Sequence, residues 1–356
     1  MNLVKGLKDI SPEQKRLAVA AAAAAVASSA VTTAAVWLLS RRKAAPLAES
    51  APDASAARTG ARGGSVGGED PRESSEIYET ESSARQYMEF HYTPTRTSYA
   101  QRLRTISGSF DFPIRVAQKF KEFRPETENE HTRALEIGCA TGASVLELSK
   151  YFSSVIGVDY SETFIHFANE ILREAATQRG ARIPYTAVDQ GDIEVSRNVR
   201  VPLGASPGRC QFFRGDAMDL LEKSGRGAEA ARRPPSRYAD VAWYQVPAGE
   251  LFDGVLAANL LCRVPDPRKL LDTFPQLLRK GGILVLASPY SWWEGATPKS
   301  KWIGGLPGGP RSEDAVKAIL MKDFDLLNET EEAFLIRDHV RRYQLGFSHC
   351  TVWRRR

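Results

Sequence analysis

Short apolar runs separated by polar tips and glycine turns recur along residues 133–289 of the chain. Residues 134–137, which are apolar except for Glu136, and residues 155–158 fit buried strands, and residues 145–148 between them carry an apolar helix face. Three further apolar runs follow at residues 212–213, 251–258 and 283–287. Strands that alternate with helices predict an α/β fold with a mostly parallel sheet.

Polar residues follow three of these predicted strands. Asp159 ends the second run, Asp216 follows the third, and Asn259 follows the fourth. Asp266 and Pro267 then form a plausible helix start, with a capping side chain before a proline in the first turn. Since open parallel sheets bind ligands at the carboxyl ends of their strands, we expect a ligand site at this edge.

A glycine turn follows the first strand and carries the most specific signal. Glu136 lies two residues before Gly138, and Cys139 and Ala140 lie between Gly138 and Gly142. The dinucleotide fingerprint G-x-G-x-x-G is absent, so pyrophosphate binding is the weaker interpretation. An acidic residue before the first glycine suits an ammonium group, and the carboxylate after the second strand suits ribose hydroxyls. S-adenosylmethionine carries both groups.

Other interpretations of these residues are open. The glycines can simply shape a turn, and Asp159 can be a solvated loop carboxylate. Asp216 can accept a hydrogen bond from an adenine amino group, although alone it is a weak signal. Cys139 is more plausibly a small packing residue than a redox group.

Taken together, these segments resemble the class I S-adenosylmethionine-dependent methyltransferases. The resemblance implies a Rossmann-like fold, with a mostly parallel seven-stranded sheet and helices on both faces. It also implies a cofactor site made of Glu136, Gly138, Cys139, Ala140, Gly142, Asp159, Asp216, Ala217 and Asn259. Within that site, the first acidic residue and the glycines line the methionine, Asp159 binds the ribose, and Asp216 and Ala217 contact the adenine.

Several shorter segments point to one subgroup. They are residues 78–80, 87–92, 257–260, 288–290, 297–299, 301–305 and 351–354. Through these segments, residues 76–356 as a whole resemble the C-terminal mercaptohistidine N-methyltransferase domain of the bifunctional ovothiol-biosynthesis enzymes. Those enzymes carry an upstream iron-dependent sulfoxide synthase domain, for which the sequence before Tyr78 is too short. A separate sulfoxide synthase is therefore a possible partner, and the expected acceptor is the imidazole nitrogen of a mercaptohistidine.

Candidate catalytic residues lie before the first strand and after the fourth and fifth. They are Tyr78, His91, Asn259 and Tyr290, with Tyr87, Tyr92, Arg263, Trp293 and Lys299 as further candidates for the acceptor side. The aromatic residues can instead pack a cap, and His91 can be structural. Arg263 suits an amino-acid carboxylate or, equally, a helix-surface ion pair. Methyl transfer needs an in-line approach and no covalent enzyme intermediate.

Composition narrows the classes of ligand. The net charge is +5 with a pI near 9.0, but the basic clusters are not interleaved with aromatic residues, so a nucleic-acid groove is not indicated. Cys139, Cys210, Cys262 and Cys350 show neither a C-x-x-C pair nor a zinc spacing. We therefore expect no metal and a reducing compartment.

The N-terminal part differs in kind. Residues 1–16 form a tail. Residues 17–39 carry no charge and would be about 34 Å long as a helix, which is enough to cross the apolar core of a bilayer. This run predicts a single transmembrane helix. Residues 40–76 predict a disordered linker. A cleaved signal peptide or an organelle transit peptide is the alternative, and orientation is unreadable because both flanks are basic. The cofactor alone favours a cytosolic catalytic domain.

The predicted methyltransferase domain spans residues 77–356. It includes a cap segment at 77–125, a structured excursion at 183–201 that could cap the pocket, and a surface insertion at 222–237. Two other functions stay open: methylation of another small amine, imidazole or thiol, and a membrane-tethered binding protein with an inactive methyltransferase fold. The intact glycine motif favours catalysis.

Overall fold

The computed structural model describes residues 78–92, 108–125, 130–177, 183–221 and 236–356. The predicted tail, transmembrane helix and linker, residues 1–76, lie outside these ranges, as do residues 222–235 of the predicted insertion. No helix within the described ranges is both long and apolar enough to cross a bilayer.

The described part of the chain alternates strands and helices as the sequence predicts. The helices are α1 (Glu81–Tyr92), α2 (Phe112–Glu122), α3 (Ala143–Leu148), α4 (Glu162–Thr177), α5 (Pro267–Leu277) and α6 (Ser312–Leu320). The strands are β1 (Arg133–Ile137), β2 (Ser154–Asp159), β3 (Ile183–Gln190), β4 (Ile193–Val199), β5 (Cys210–Arg214), β6 (Phe252–Ala258), β7 (Leu278–Ser288), β8 (Phe324–His339) and β9 (Arg342–Arg355).

Seven strands form one sheet in the order β5-β2-β1-β6-β7-β9-β8. The four pairings from β5 to β7 are parallel, and β9 is antiparallel to both β7 and β8. Leu135 of β1 lies opposite Ile156 on one side and Val255 on the other. The predicted Rossmann-like fold with a mostly parallel seven-stranded sheet is confirmed.

Both faces of the sheet are covered by helices, which explains why the central strands are apolar throughout. In β1, Ala134 packs on the face that carries α2, α3 and α4, whereas Leu135 and Ile137 pack on the face that carries α5 and α6. The three side chains are each at most 1% exposed. A single polar substitution in β1 would therefore be buried on whichever face it lies.

Helix α5 begins where the sequence predicts. Asp266 is its capping residue, and the Asp266 carboxylate accepts a hydrogen bond from the Lys269 backbone amide at 3.1 Å. Pro267 occupies the first turn, where its missing amide hydrogen is not needed. This cap fixes the direction in which the chain leaves the carboxyl end of β6.

The structured excursion at 183–201 is the antiparallel hairpin β3–β4. The Tyr185 hydroxyl of β3 donates to the Glu89 carboxylate of α1 at 2.6 Å, and Arg337 of β8 lies 3.5 Å from the same carboxylate. None of the hairpin's residues lines the cavity described below. The hairpin therefore supports α1 from behind and does not itself cap the pocket.

Candidate functional site

A cavity of about 1140 Å³ lies at the carboxyl ends of β1, β2, β5 and β6. We call it the main cavity; the residues that line it include Tyr78, Tyr87, His91, Glu136, Gly138, Ala140, Asp159, Asp216, Ala217, Asn259 and Arg263. The sheet edge that the sequence predicts as a ligand site thus borders this cavity.

The glycine turn after β1 adopts left-handed backbone conformations that glycine tolerates best. Gly138 has φ of 78° and Gly142 has φ of 87°. A Cβ atom on Gly138 would lie 3.1 Å from Leu260, and one on Gly142 would lie 2.3 Å from the Phe212 ring. At Gly142 the absent side chain thus makes room for a core phenylalanine, and Gly142 itself does not line the main cavity.

Asp159 joins the ends of β1 and β2. Its two carboxylate oxygens accept hydrogen bonds from the backbone amides of Ala140 and Ser161, each at 2.9 Å. Burial raises the pKa of Asp159 to about 6, and the two amide donors oppose that rise. The side chain therefore organises the glycine turn and also presents an acceptor to the main cavity.

Glu136 is a buried carboxyl group at the end of β1, with 2% of its surface exposed. The Ser144 hydroxyl of α3 lies 2.6 and 2.7 Å from its two oxygens. Burial raises the pKa of Glu136 to about 8, with Ser144 opposing and the Asp159 charge adding to the rise. No lysine or arginine among the described residues pairs with it, so a cationic ligand group fits this position.

Asp216, Ala217 and Asn259 line the main cavity from β5 and β6. Asp216 accepts a hydrogen bond from the Met218 amide at 2.8 Å, which fixes the turn after β5. Asn259 has φ of 55°, and its side-chain oxygen accepts from the Ser348 hydroxyl at 2.6 Å. Because a carbonyl oxygen has two lone pairs, that oxygen can accept a second hydrogen bond.

His91 reaches the main cavity from the last turn of α1. Its Nδ1 atom accepts a hydrogen bond from the Ala143 amide at 3.3 Å, at the start of α3. Burial lowers the pKa of His91 to about 3, so the ring is neutral near pH 7. Since Nδ1 accepts, the ring proton resides on Nε2, and His91 is a hydrogen-bond donor there rather than a base.

Aromatic rings form a continuous wall of the main cavity. Tyr78 and Tyr87 meet edge to face at 6.0 Å between ring centroids, and Tyr87 lies 4.8 Å from Phe164. Phe112 of α2 and Phe334 of β8 continue the wall at 5.5 Å. Tyr78 is thus a wall residue, and burial raises the pKa of the Tyr87 hydroxyl far above its usual value. Both tyrosines contribute ring surface to the cavity, and Tyr87 is neutral near pH 7.

Other predicted residues lie away from the main cavity. Cys139 is fully buried, burial raises its pKa well above the usual range, and it does not line the cavity, which suits packing. The Tyr92 hydroxyl, also buried, donates to the Thr141 carbonyl of the glycine turn at 2.7 Å. Trp293 is 41% exposed, and Lys299 lies over the ring of Trp302.

Tyr290 lines a separate cavity of about 370 Å³, which we call the side cavity. The Tyr290 hydroxyl lies 2.9 Å from Nδ1 of His349, and Nε2 of His349 lies 2.7 Å from Glu329. A φ of 48° at Tyr290 turns the chain at the end of β7, which directs the ring away from the main cavity. The sequence could not show that turn.

Some residues of the main cavity escaped the sequence analysis. Ser144 holds Glu136, and Phe334, Ile336 and Gln344 line the cavity from the hairpin formed by β8 and β9. The only available signal was the short apolar run at residues 333–336. Among the described residues, no group of three histidine, cysteine or acidic side chains could hold a metal ion.

Comparisons with solved structures find distant resemblances. One is magnesium protoporphyrin IX methyltransferase from Synechocystis PCC 6803 with bound SAM, at 11% identity and a TM-score of 0.46, covering 82% of this chain and 100% of that one. Another is the N-methyltransferase NodS from Bradyrhizobium japonicum WM9, at 14% identity and a TM-score of 0.37, covering 76% and 98%. The [4+2]-cyclase SpnF is 14% identical with a TM-score of 0.44, covering 80% and 96%.

No curated protein matches this chain significantly. A family model described as a methyltransferase domain matches residues 110–315, more than half of the chain. This range contains the glycine turn, Asp159, Asp216 and Asn259. The chain therefore belongs to the methyltransferase-domain family.

Proposed function

We propose that the protein is an S-adenosylmethionine-dependent methyltransferase that acts on a small molecule. One observation carries the proposal: Glu136, Asp159 and Asp216, at the ends of three adjacent parallel strands, line the same cavity. The buried Glu136 suits the ammonium group of the cofactor, Asp159 suits the ribose hydroxyls, and Asp216 suits the adenine amino group. The donor set therefore fits the cofactor.

The cofactor, when bound, supplies an electrophilic methyl group on its sulfonium. The chain contributes orientation and exclusion of water, because the aromatic wall closes one side of the cavity. His91 donates from Nε2 and Asn259 accepts at Oδ1, so the two side chains can fix the orientation of a polar acceptor. No group with a pKa suited to a base near pH 7 is needed for an acceptor that attacks through a lone pair.

The acceptor that we propose is the imidazole nitrogen of a mercaptohistidine. The support is the resemblance of residues 76–356 to the methyltransferase domain of the ovothiol enzymes, together with the polar pair of His91 and Asn259 in the cavity. Asn259 Oδ1 can accept a hydrogen bond from the N–H group of the ring nitrogen that is not methylated. The lone pair of the other ring nitrogen is then available to attack the methyl group. A separate sulfoxide synthase is the partner that this acceptor implies for the step that introduces sulfur into the ring.

Labelled S-adenosylmethionine with a panel of acceptors tests both levels of the proposal. The purified protein is incubated with mercaptohistidine, histidine, glycine and simple thiols, and products are identified by mass spectrometry, with Asp159→Ala as the background control. Methylated mercaptohistidine supports the full proposal. Methylation of another metabolite would retain the methyltransferase and remove the acceptor, whereas cofactor binding without any transfer would favour a binding protein.

A further inference from the structure

Arg263 is a basic side chain of the main cavity that the proposed transfer does not yet use. It ends the short 3-10 turn Leu261–Arg263 that follows β6, and it is half-buried. Lys269 is the only lysine among the described residues that line the main cavity, and it is exposed. Glu136 and Asp159 line the same cavity. Because a half-buried guanidinium has lost part of its hydration, we expect it to bind an anionic group.

The contacts of Arg263 occupy one edge of its guanidinium. Nη1 donates to the carbonyl oxygens of Cys262 at 2.8 Å and Ser291 at 2.6 Å and lies 3.3 Å from Cys262 Sγ, and Nη2 donates to the Ser291 hydroxyl at 3.1 Å. These bonds use both hydrogens of Nη1 and one of Nη2. The Nε hydrogen and the second Nη2 hydrogen make no hydrogen bond to a described residue, and together they form a planar fork.

Several arginines elsewhere in the described structure have carboxylate partners. Arg214 pairs with Glu162 at 3.1 Å, and Arg279 pairs with Asp253 at 2.9 Å. Among the described residues no carboxylate lies within ion-pair distance of Arg263. A fork of two N–H groups matches the two oxygens of a carboxylate, and this pairing is among the stronger hydrogen-bonded arrangements in proteins.

The segment after β7 holds the occupied edge in place. Ser291 follows Tyr290, whose left-handed backbone turns the chain, and whose hydroxyl is tied to His349 at 2.9 Å. His349 is tied in turn to Glu329 at 2.7 Å. Because this chain of contacts fixes Ser291, it also fixes the guanidinium, and a receptor fixed before binding loses less entropy when the ligand arrives.

We propose that Arg263 binds a carboxylate carried by one of the two substrates, through its Nε and Nη2 hydrogens. The inference rests on the proposed methyl transfer, which places two small molecules in the main cavity. Two carboxylates have the same chemistry: that of an amino-acid acceptor, and that of the methionine part of the cofactor. Tyr290 is then a positioning residue, which acts on the ligand through Ser291 and Arg263.

Calorimetry on the full-length protein distinguishes the two sources. Arg263→Gln removes the charge, Arg263→Lys keeps the charge without the fork, and Arg268→Gln is the matched control because Arg268 is exposed and paired with Asp272 at 2.9 Å. The first arm compares S-adenosylhomocysteine with its decarboxylated analogue. The second arm titrates the S-adenosylhomocysteine-saturated protein with mercaptohistidine and mercaptohistamine, and with phenylacetate and neutral phenylacetamide.

We expect Arg263→Gln to weaken one carboxylate-bearing probe by about tenfold or more, and to change its carboxylate-free counterpart less than about twofold. Arg263→Lys recovers part of that loss, and Arg268→Gln changes nothing. A loss confined to S-adenosylhomocysteine assigns Arg263 to the cofactor, and a loss in the second arm assigns it to the acceptor.

The inference is overturned if each pair of probes responds equally, or if neither arm changes, because Arg263 is then a structural residue. Failure of the proposed acceptor looks different. In that case mercaptohistidine does not bind the wild-type protein, while either S-adenosylhomocysteine or phenylacetate still shows the dependence on Arg263. Unchanged melting temperatures of the variants show that a loss of binding is not a loss of fold.

Discussion

At the scale of single residues, Glu136 combines a structural cost with a binding role. Its carboxyl group is buried with only a serine hydroxyl as a hydrogen-bond donor, and burial raises its pKa from 4.5 to about 8. Between these two values the unfolded chain loses the proton while the folded protein retains it. The contribution of Glu136 to the free energy of unfolding is therefore fully present below pH 4.5 and is lost as pH rises towards 8. The total loss is on the order of a few kcal/mol.

Glu136→Gln should remove this loss. We expect the ligand-free variant to melt at a higher temperature than the wild type at pH 8, and the difference to shrink at pH 5. Because the neutral amide no longer attracts an ammonium group, affinity for S-adenosylhomocysteine should fall by about tenfold. Thermal melts across pH together with calorimetry check both effects, and a variant that is less stable at pH 8 would contradict the argument.

His91 supports a second prediction, about the acceptor. Burial lowers its pKa to about 3, so His91 contributes a fixed N–H donor and no titration near neutral pH. His91→Ala should lower turnover at least about tenfold with little change in S-adenosylhomocysteine affinity, since orientation of the acceptor is lost. The pH dependence of turnover between 6 and 8 should keep its shape, and loss of a titration in that range would identify His91 as a base.

The sequence predicts the strand-end carboxylates because they depend on local order. Glu136, Asp159 and Asp216 lie at or just after the carboxyl ends of apolar strands, and parallel strands bring these ends together without further information. Tyr290 is different, because the direction of its ring depends on one backbone angle and on a contact with His349, 59 residues away. The room beside Gly142 depends similarly on Phe212 of another strand.

At the scale of elements, the hairpin of β8 and β9 lines the main cavity on the side that we propose for the acceptor. Phe334 of β8 lies opposite Gly346 of β9, and a Cβ atom on Gly346 would lie 2.3 Å from the Phe334 ring. The ring therefore lies directly on the glycine backbone. This contact joins residues on two strands, so no local pattern in the sequence indicates it.

Gly346→Ala should displace the Phe334 ring and so reshape the acceptor side of the cavity. We expect the KM of the acceptor to rise several-fold, while affinity for S-adenosylhomocysteine stays within about twofold, because the cofactor residues lie on β1, β2 and β5. Gly208→Ala is the matched control, since a Cβ atom at Gly208 meets no atom within 4 Å. Equal effects on acceptor and cofactor would show that the hairpin does not separate the two subsites.

At the scale of the whole molecule, the parallel strands were within reach of sequence reasoning, and their order and the supporting parts were not. Five apolar runs with polar tips predict the parallel half of the sheet, which the structure confirms as β1, β2, β5, β6 and β7. The antiparallel strands β8 and β9 and the hairpin β3–β4 gain their places through contacts distant in sequence, such as Tyr185 with Glu89. The family resemblance, rather than periodicity, supplied the expected seven strands.

The last prediction concerns residues 17–39, which lie outside the described residues and whose role we propose from sequence alone. Their length and charged flanks suit a membrane span, and the catalytic fold described here begins at Tyr78. A chain that lacks residues 1–77 should therefore bind S-adenosylhomocysteine within about twofold of the full-length affinity, and it should leave the membrane fraction.

Ala24→Asp with Val31→Asp provides a control of full length, because each aspartate costs about 3 kcal/mol at the centre of a span. We expect this double variant also to leave the membrane while it retains binding. Intact-mass measurement of the wild type completes the test: a shortened N-terminus would indicate a cleaved targeting segment, and an intact N-terminus in the soluble fraction would contradict the span.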